Sequence, residues 1–287
     1  MSIAIGLQIE IGLVWNLIVI EKEKFFILNN FEMETNKHNT VKQLELHWPK
    51  VGKINSFHFI TETTNLKKAN HGWQKTYERK AEILFLGRKE ELRLFQVITT
   101  KIILKSNKAL PNKSLLTKLG YIFDYLELGI NDKGTIKKVF NQKEVLLRFH
   151  EIKKQIEKDY YGLELEQLLN SISKTIENEK KLISFLHSYK MFGLYFTGLF
   201  IPFQSKPSEL ITREIVLYDF EYQVVAERII SSAENDNFTF DISLDNPSET
   251  FKKYTGIIKT EFNRIQMGYL EIETEDLNIK YNTSWVG

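Results

Sequence analysis

A chain of 287 residues, 43% hydrophobic and 26% charged, has ordinary globular usage, holds one large domain or two small ones, and is too apolar to stay unfolded. Its formal net charge of +2 is too small to mark a nucleic-acid binder, and the lack of cysteine excludes disulfide scaffolds, thiol nucleophiles and Cys-containing zinc sites. The charge is uneven: from Phe200 onward eight Lys/Arg stand against fifteen Asp/Glu, a balance of −7 that leaves +9 on the remainder. Such a bias is expected of parts that attract each other within one fold, or of separately solvated faces.

Residues 3–20 are apolar, but Gln8, Glu10 and Asn16 interrupt them and no Lys or Arg precedes them, which argues against a secretory signal. Ile3, Ile5, Leu7, Ile9 and Ile11 alternate with small or polar residues, which predicts two strands broken near Gly12. The expected location is the cytoplasm, without a membrane span. Residues 29–40 are rich in Asn and form a loop; 41–48 alternate to put Leu44, Leu46 and Trp48 on a buried strand face; 56–63 form a short strand. A hairpin pairs 77–86 with 91–104 across 87–90, with Gly87 supplying a positive φ and Leu92, Leu94, Ile98, Ile102 and Leu104 sharing one face. A short helix at 114–119 takes Asn112 or Ser114 as its cap, and a second hairpin joins 121–130 to 135–140 around Asn131-Asp132-Lys133-Gly134.

Residues 141–200 form a helical block. Asn141 and Glu144 fit a capping box, and Val145, Phe149, Ile152 and Ile156 make an apolar stripe that Gly162 terminates. A second helix over 163–177 turns Leu165, Leu168, Leu169, Ile172 and Ile176 inward. A third starts after Asn178, uses Leu182, Ile183 and Leu186, and runs into the apolar segment 191–200; Pro202 and Pro207 end the block. Beyond it, 211–230 bend or split as a long strand, 237–244 alternate cleanly, and 254–262 and 269–281 pair around 263–268. The expected architecture is a single α+β domain over 1–287: N-terminal strands to 140, the helical insert, and C-terminal strands over 208–283, with a twisted antiparallel sheet wrapping half-barrel fashion against the helices.

Motifs for chemistry are lacking. No Gly-x-Ser-x-Gly, Walker or Gly-x-Gly-x-x-Gly pattern occurs, and no histidine stands in a ligand pair. His47 and His58 lie on predicted strands and would converge if these paired, still short of a metal site. Glu271, Glu273 and Glu275 alternate on what reads as a charged, solvated terminal strand. Lys101, Lys105, Lys108, Lys113 and Lys118 precede Tyr121, Phe123 and Tyr125, a weak single-strand-binding pattern, so nucleic acid is not the expected partner. No cofactor and no metal are expected. The candidate ligand-contacting residues are the aromatics Phe192, Tyr195, Phe196, Phe200 and Phe203, which line a cavity for an apolar molecule or plug helices to sheet. The leading expectation is a non-enzymatic binding or adaptor protein that engages another protein. Its alternatives are a carrier of an apolar small molecule or lipid between sheet and helices, and a hydrolase built from scattered His and carboxylate residues.

Overall fold

The structure is a computed structural model that describes residues 48–67, 72–110, 112–197, 208–218, 221–234, 237–261 and 264–287. The expectations for 1–47, including His47 and the Leu44 and Leu46 face, fall outside these residues, as do Phe200, Pro202, Phe203 and Pro207.

Alternating apolar and polar residues produce eleven strands: β1 (Ile54–Asn65), β2 (Trp73–Lys89), β3 (Leu92–Ser106), β4 (Tyr125–Ile130), β5 (Ile136–Val139), β6 (Ser208–Tyr218), β7 (Glu221–Glu234), β8 (Asn237–Leu244), β9 (Lys253–Glu261), β10 (Arg264–Glu273) and β11 (Leu277–Trp285). They form one open antiparallel sheet in the order β5-β4-β3-β2-β1-β11-β10-β9-β8-β7-β6. From β1 in the middle of the sheet the described strands meander to one edge, resume at the opposite edge with β6 and meander back. The two meanders meet at β1 and β11, where Phe57 opposes Trp285 and Asn65 opposes Leu277. The last strand is thus the centre of the sheet, not the charged edge that Glu271, Glu273 and Glu275 suggest. The expected strand over 269–281 is really β10 and β11 separated by a turn, in which the Thr274 hydroxyl accepts from the Leu277 amide at 3.1 Å.

Turn chemistry sets several of these joints. Asn131 accepts from the Thr135 amide at 2.9 Å and Gly134 takes φ 86°, as a polar turn between β4 and β5 requires. The β2–β3 hairpin differs from expectation. Its tip lies at Glu90, which adopts φ 57°, while Gly87 at φ 102° sits at a bulge within β2. A second bulge leaves Thr100 of β3 unpaired between Thr99, opposite Ala81, and Lys101, opposite Lys80. One extra residue switches the parity of a strand. The buried set of β3 is accordingly Phe95, Val97 and Thr99 before the bulge and Ile102 and Leu104 after it. Leu92, Leu94 and Ile98 face the other way from the expected stripe.

Among the described residues four helices cover one face: α1 (Lys113–Gly120), α2 (Gln142–Ile156), α3 (Leu163–Glu177) and α4 (Glu179–His187). A 3-10 turn, Tyr121–Phe123, follows α1. The apolar stripes of α2 and α3 are buried as their spacing implies, with Val145, Phe149 and Ile156 on one and Leu165, Leu168, Leu169, Ile172 and Ile176 on the other. The capping box does not form. Asn141 instead accepts from the Glu127 amide at 2.8 Å and donates to the Tyr125 carbonyl at 3.1 Å, tying the start of α2 to β4. Gly162, at φ 129°, precedes α3 and does not terminate α2, which ends at Ile156. Asn178 caps α4 by accepting from the Lys181 amide at 3.1 Å.

Helix α4 stops at His187, short of the expected run through 191–200. Through Thr197 the chain instead makes tight turns folded back on the helix end. The Gly193 amide donates to the Ser188 carbonyl at 2.9 Å, and a Cβ on Gly193 would lie 2.4 Å from the His187 carbonyl oxygen. This fold-back drives aromatic rings into the sheet. Phe192 meets Phe59 edge-on at 5.3 Å, Tyr195 meets Phe57 at 4.8 Å, and Phe196 meets Phe95 at 5.5 Å. Each such pair contributes about 0.5–1.5 kcal/mol beyond the burial of its area. One contiguous cluster runs from Phe57 through the helices to Tyr281.

Candidate functional site

On β2, Tyr77, Arg79, Ala81, Ile83 and Phe85 occupy successive inward positions, so alternation carries an arginine into an otherwise apolar row. Arg79 is 2% exposed. Its Nη1 donates to Thr99 Oγ1 at 2.7 Å and to the Phe123 carbonyl at 3.4 Å. Its Nη2 donates to the Tyr77 hydroxyl at 2.8 Å, with longer contacts to the Gly120 carbonyl at 3.5 Å and Met191 Sδ at 3.6 Å. Nε is buried without a partner. None of these partners is charged. The bulge at Thr100 makes the best of them available, because it keeps Thr99 inward beside the guanidinium. The ring of Phe192 supports the guanidinium carbon at 5.7 Å. Burial pushes the Tyr77 phenol up, and the neighbouring guanidinium pulls in the opposite direction.

Arg79 lines a small cleft between sheet and helices, part of it open to solvent. Sheet residues Thr61, Thr63 and Tyr77 form one wall. The opposite wall is apolar: Leu116 and Leu119 of α1, Ile122 and Phe123 of the 3-10 turn, Ile172 of α3 and Phe185 of α4, with Lys190 and Met191 from the segment after α4. Among the described residues two basic side chains line the cleft and no carboxylate does. Gly120 lets α1 approach, since a Cβ there would sit 2.8 Å from Ile102 Cδ1 and 3.0 Å from the Tyr77 oxygen.

The structure brings three of the five candidate aromatics together. Phe192, Tyr195 and Phe196 are buried side by side against β1 and β3, and Phe192 stands behind Arg79. Sequence reading missed Arg79 itself. The signal was present as an arginine at an inward position of an alternating strand.

A second buried arginine lies on β6. Arg213 Nε donates to Glu227 Oε2 at 2.9 Å, and Glu227 is fully buried. The Tyr189 hydroxyl donates to the other carboxylate oxygen at 2.6 Å, and the Tyr254 hydroxyl donates to it as well. Arg213 also stacks on the Tyr189 ring at 4.4 Å. This knot ties the end of the helical block to β6, β7 and β9. Burial drives both phenols well up, and His187 beside it is pushed down to about 3, first by desolvation and then by Arg213.

The remaining candidates scatter. His58 Nε2 lies 3.3 Å from Glu78 Oε2, and Lys105 pairs with the other oxygen of that carboxylate, on the face of β2 opposite Arg79. Glu271 is buried: burial would raise its carboxyl, but hydrogen bonds from Lys253, Asn278 and Tyr269 hold it at about 2. Glu273 accepts from Asn278, while Glu275 lies in the following turn. The lysine series does not share one face with the aromatics. Lys118 pairs with Asp159, the Tyr121 hydroxyl accepts from the Ile102 amide, and Phe123 is core. Among the described residues no three His, Asp or Glu side chains converge as a metal site, and no helix is long and apolar enough to cross a membrane.

No family model and no curated protein matches this chain. A solved structure of lipovitellin, concerned with lipid–protein interactions, aligns with a TM-score of 0.42 and 8% identity, covering 83% of this chain and 25% of that one. The chain thus spans about a quarter of that protein's length. A likeness this loose carries no argument about function.

Proposed function

We propose that this chain binds an apolar small molecule in the cleft between β1–β2 and the cover formed by α1, α3 and α4. The whole chain acts as one unit in this reading, because a single apolar cluster joins both meanders to the helices. The observation that carries it is the cleft itself. Elsewhere between sheet and helices, rings such as Phe192, Tyr195 and Phe196 fill the interior, whereas here apolar walls leave space. None of the three aromatics lines that space; Phe192 borders it only through Arg79, whose guanidinium it supports. Native mass spectrometry of freshly purified protein tests the reading: a co-purified small apolar molecule is expected, and it should be lost from Thr63→Trp, which fills the cleft from a half-buried strand position. Wild-type protein that carries no adduct and takes up no fluorescent apolar probe defeats the proposal.

A second reading, a protein-binding adaptor, is favoured by β6. This strand pairs only with β7 among the described residues. Leu210, Val224 and Ile230 are 58%, 63% and 45% exposed on one face of the pair. A free edge with outward apolar residues suits strand addition by an extended segment of a partner. A photo-crosslinker at Leu210 should then capture one discrete protein in cells, and a surface that yields no adduct there removes the adaptor.

A further inference from the structure

We infer that the molecule held in the cleft carries a small oxyanion head, a carboxylate or phosphate-type group on an apolar tail, and that Arg79 and Tyr77 receive it. This rests on the small-molecule reading above and goes further by naming the ligand's chemistry.

The argument begins with the cost of the bare arrangement. A guanidinium is always charged, and removing it from water without an anion is expensive. Proteins normally meet that cost with a carboxylate, as Arg213 does with Glu227. Among the described residues Arg79 has only neutral acceptors. The carbonyls of Gly120 and Phe123, at the end of α1 and its 3-10 extension, supply part of a compensating charge, since a helix end is worth roughly half a unit. The remainder is uncompensated by any residue that lines the cleft.

The donor geometry leaves capacity for a ligand. Each terminal nitrogen makes one short bond, to Thr99 and to Tyr77, and otherwise only contacts of 3.4–3.6 Å, while Nε has no partner. A planar oxyanion that replaced the long contacts would gain charge-assisted hydrogen bonds from a rigid fork of donors. The Tyr77 hydroxyl, already accepting from Arg79, has its proton free to donate to the same anion. Lys190 lines the same cleft. The side chains of Leu116, Leu119, Ile122 and Ile172 on the opposite wall suit a hydrocarbon. Charge at one wall and oil at the other define an amphiphile.

Calorimetric titration with octanoate and with octan-1-ol, matched in tail and different in head, tests this. The wild-type protein should bind octanoate roughly tenfold or more tightly than the alcohol. Arg79→Gln should lose that preference and retain alcohol binding. Octanoate and octyl phosphate compared on the wild type then show which oxyanion the site prefers. Equal affinity for octanoate and octan-1-ol in the wild type overturns the anionic head and leaves the apolar-ligand reading standing. No binding of octanoate, octanol or octyl phosphate overturns both. The wild-type comparison needs no variant, so a misfolded Arg79→Gln cannot shelter the proposal.

Discussion

The two meanders each bury one arginine, and they treat it differently. In the C-terminal meander Arg213 Nε is locked to Glu227, with Tyr189 and Tyr254 donating to the same carboxylate, so its charge is met within the protein although Nη1 and Nη2 are buried without hydrogen-bond partners. In the N-terminal meander Arg79 meets a hydroxyl, a phenol and backbone carbonyls and faces a cleft. The first arrangement is a rivet: it joins the segment after α4 to β6, β7 and β9. The second has no counter-charge among the described residues, and a site that receives an anionic ligand has that property. Burial alone does not separate the two, since Arg79 and Arg213 are 2% and 4% exposed. The identity of the partner does.

The contrast can be broken by mutation. Glu227→Gln should be the costliest change, about 3–5 kcal/mol in urea unfolding, because it leaves a buried cation uncompensated and weakens the acceptor of two phenols. Arg79→Met should cost less, about 1–3 kcal/mol, since it strands neutral acceptors and no anion. Equal losses would mean that Arg79 is as integral to the fold as Arg213, and the two regions would no longer differ in kind.

Acid sharpens the same comparison. His187, beside the Arg213 knot, is held neutral with a folded value of about 3 against roughly 6.5 when unfolded. The unfolded chain binds the proton first, so its stabilisation is complete above about pH 6.5 and is lost as the pH falls toward 3. Glu271 follows in a lower window. Its folded value of about 2, against an ordinary value near 4.3, gives stability that is present above about pH 4.3 and disappears toward pH 2, up to about 3 kcal/mol. Urea midpoints followed between roughly pH 7 and 2 should therefore fall in two stages. His187→Phe should flatten the upper stage and Glu271→Gln the lower. A single stage centred on ordinary carboxylate values in the wild type would discard both assignments. The smallest expected effect is at the surface: Lys118→Ala, which breaks the exposed pair with Asp159, should change stability by about 1 kcal/mol or less.

Much of the architecture was legible along the chain. Alternation in 237–244, the Asn131–Gly134 turn, and the 3.6-residue stripes of α2 and α3 each depend on neighbours in sequence, and each formed as written. The readings that failed depend on distant partners. The parity of β3 changed because of one unpaired residue, Thr100, whose status is decided by pairing with β2. Asn141 left its expected capping role because β4 offered a backbone amide and a carbonyl. The fold-back at Gly193 stopped the third helix because the Cβ-less residue could press on the backbone of His187 and Ser188.

The candidate site divides in the same way. Phe192, Tyr195 and Phe196 were visible as an aromatic cluster, and the inward place of Arg79 followed from the period of its strand. The sequence by itself thus determined element type, the apolar faces, and that the chain is an antiparallel sheet with a helical insert, because those features are set by side chains a few positions apart. The tertiary structure alone decided that β11 lies at the centre of the sheet, that Glu227 meets Arg213, and that no carboxylate among the described residues meets Arg79. Those facts turn on which remote groups share a low-dielectric interior, where one missing counter-charge distinguishes a rivet from a receptor.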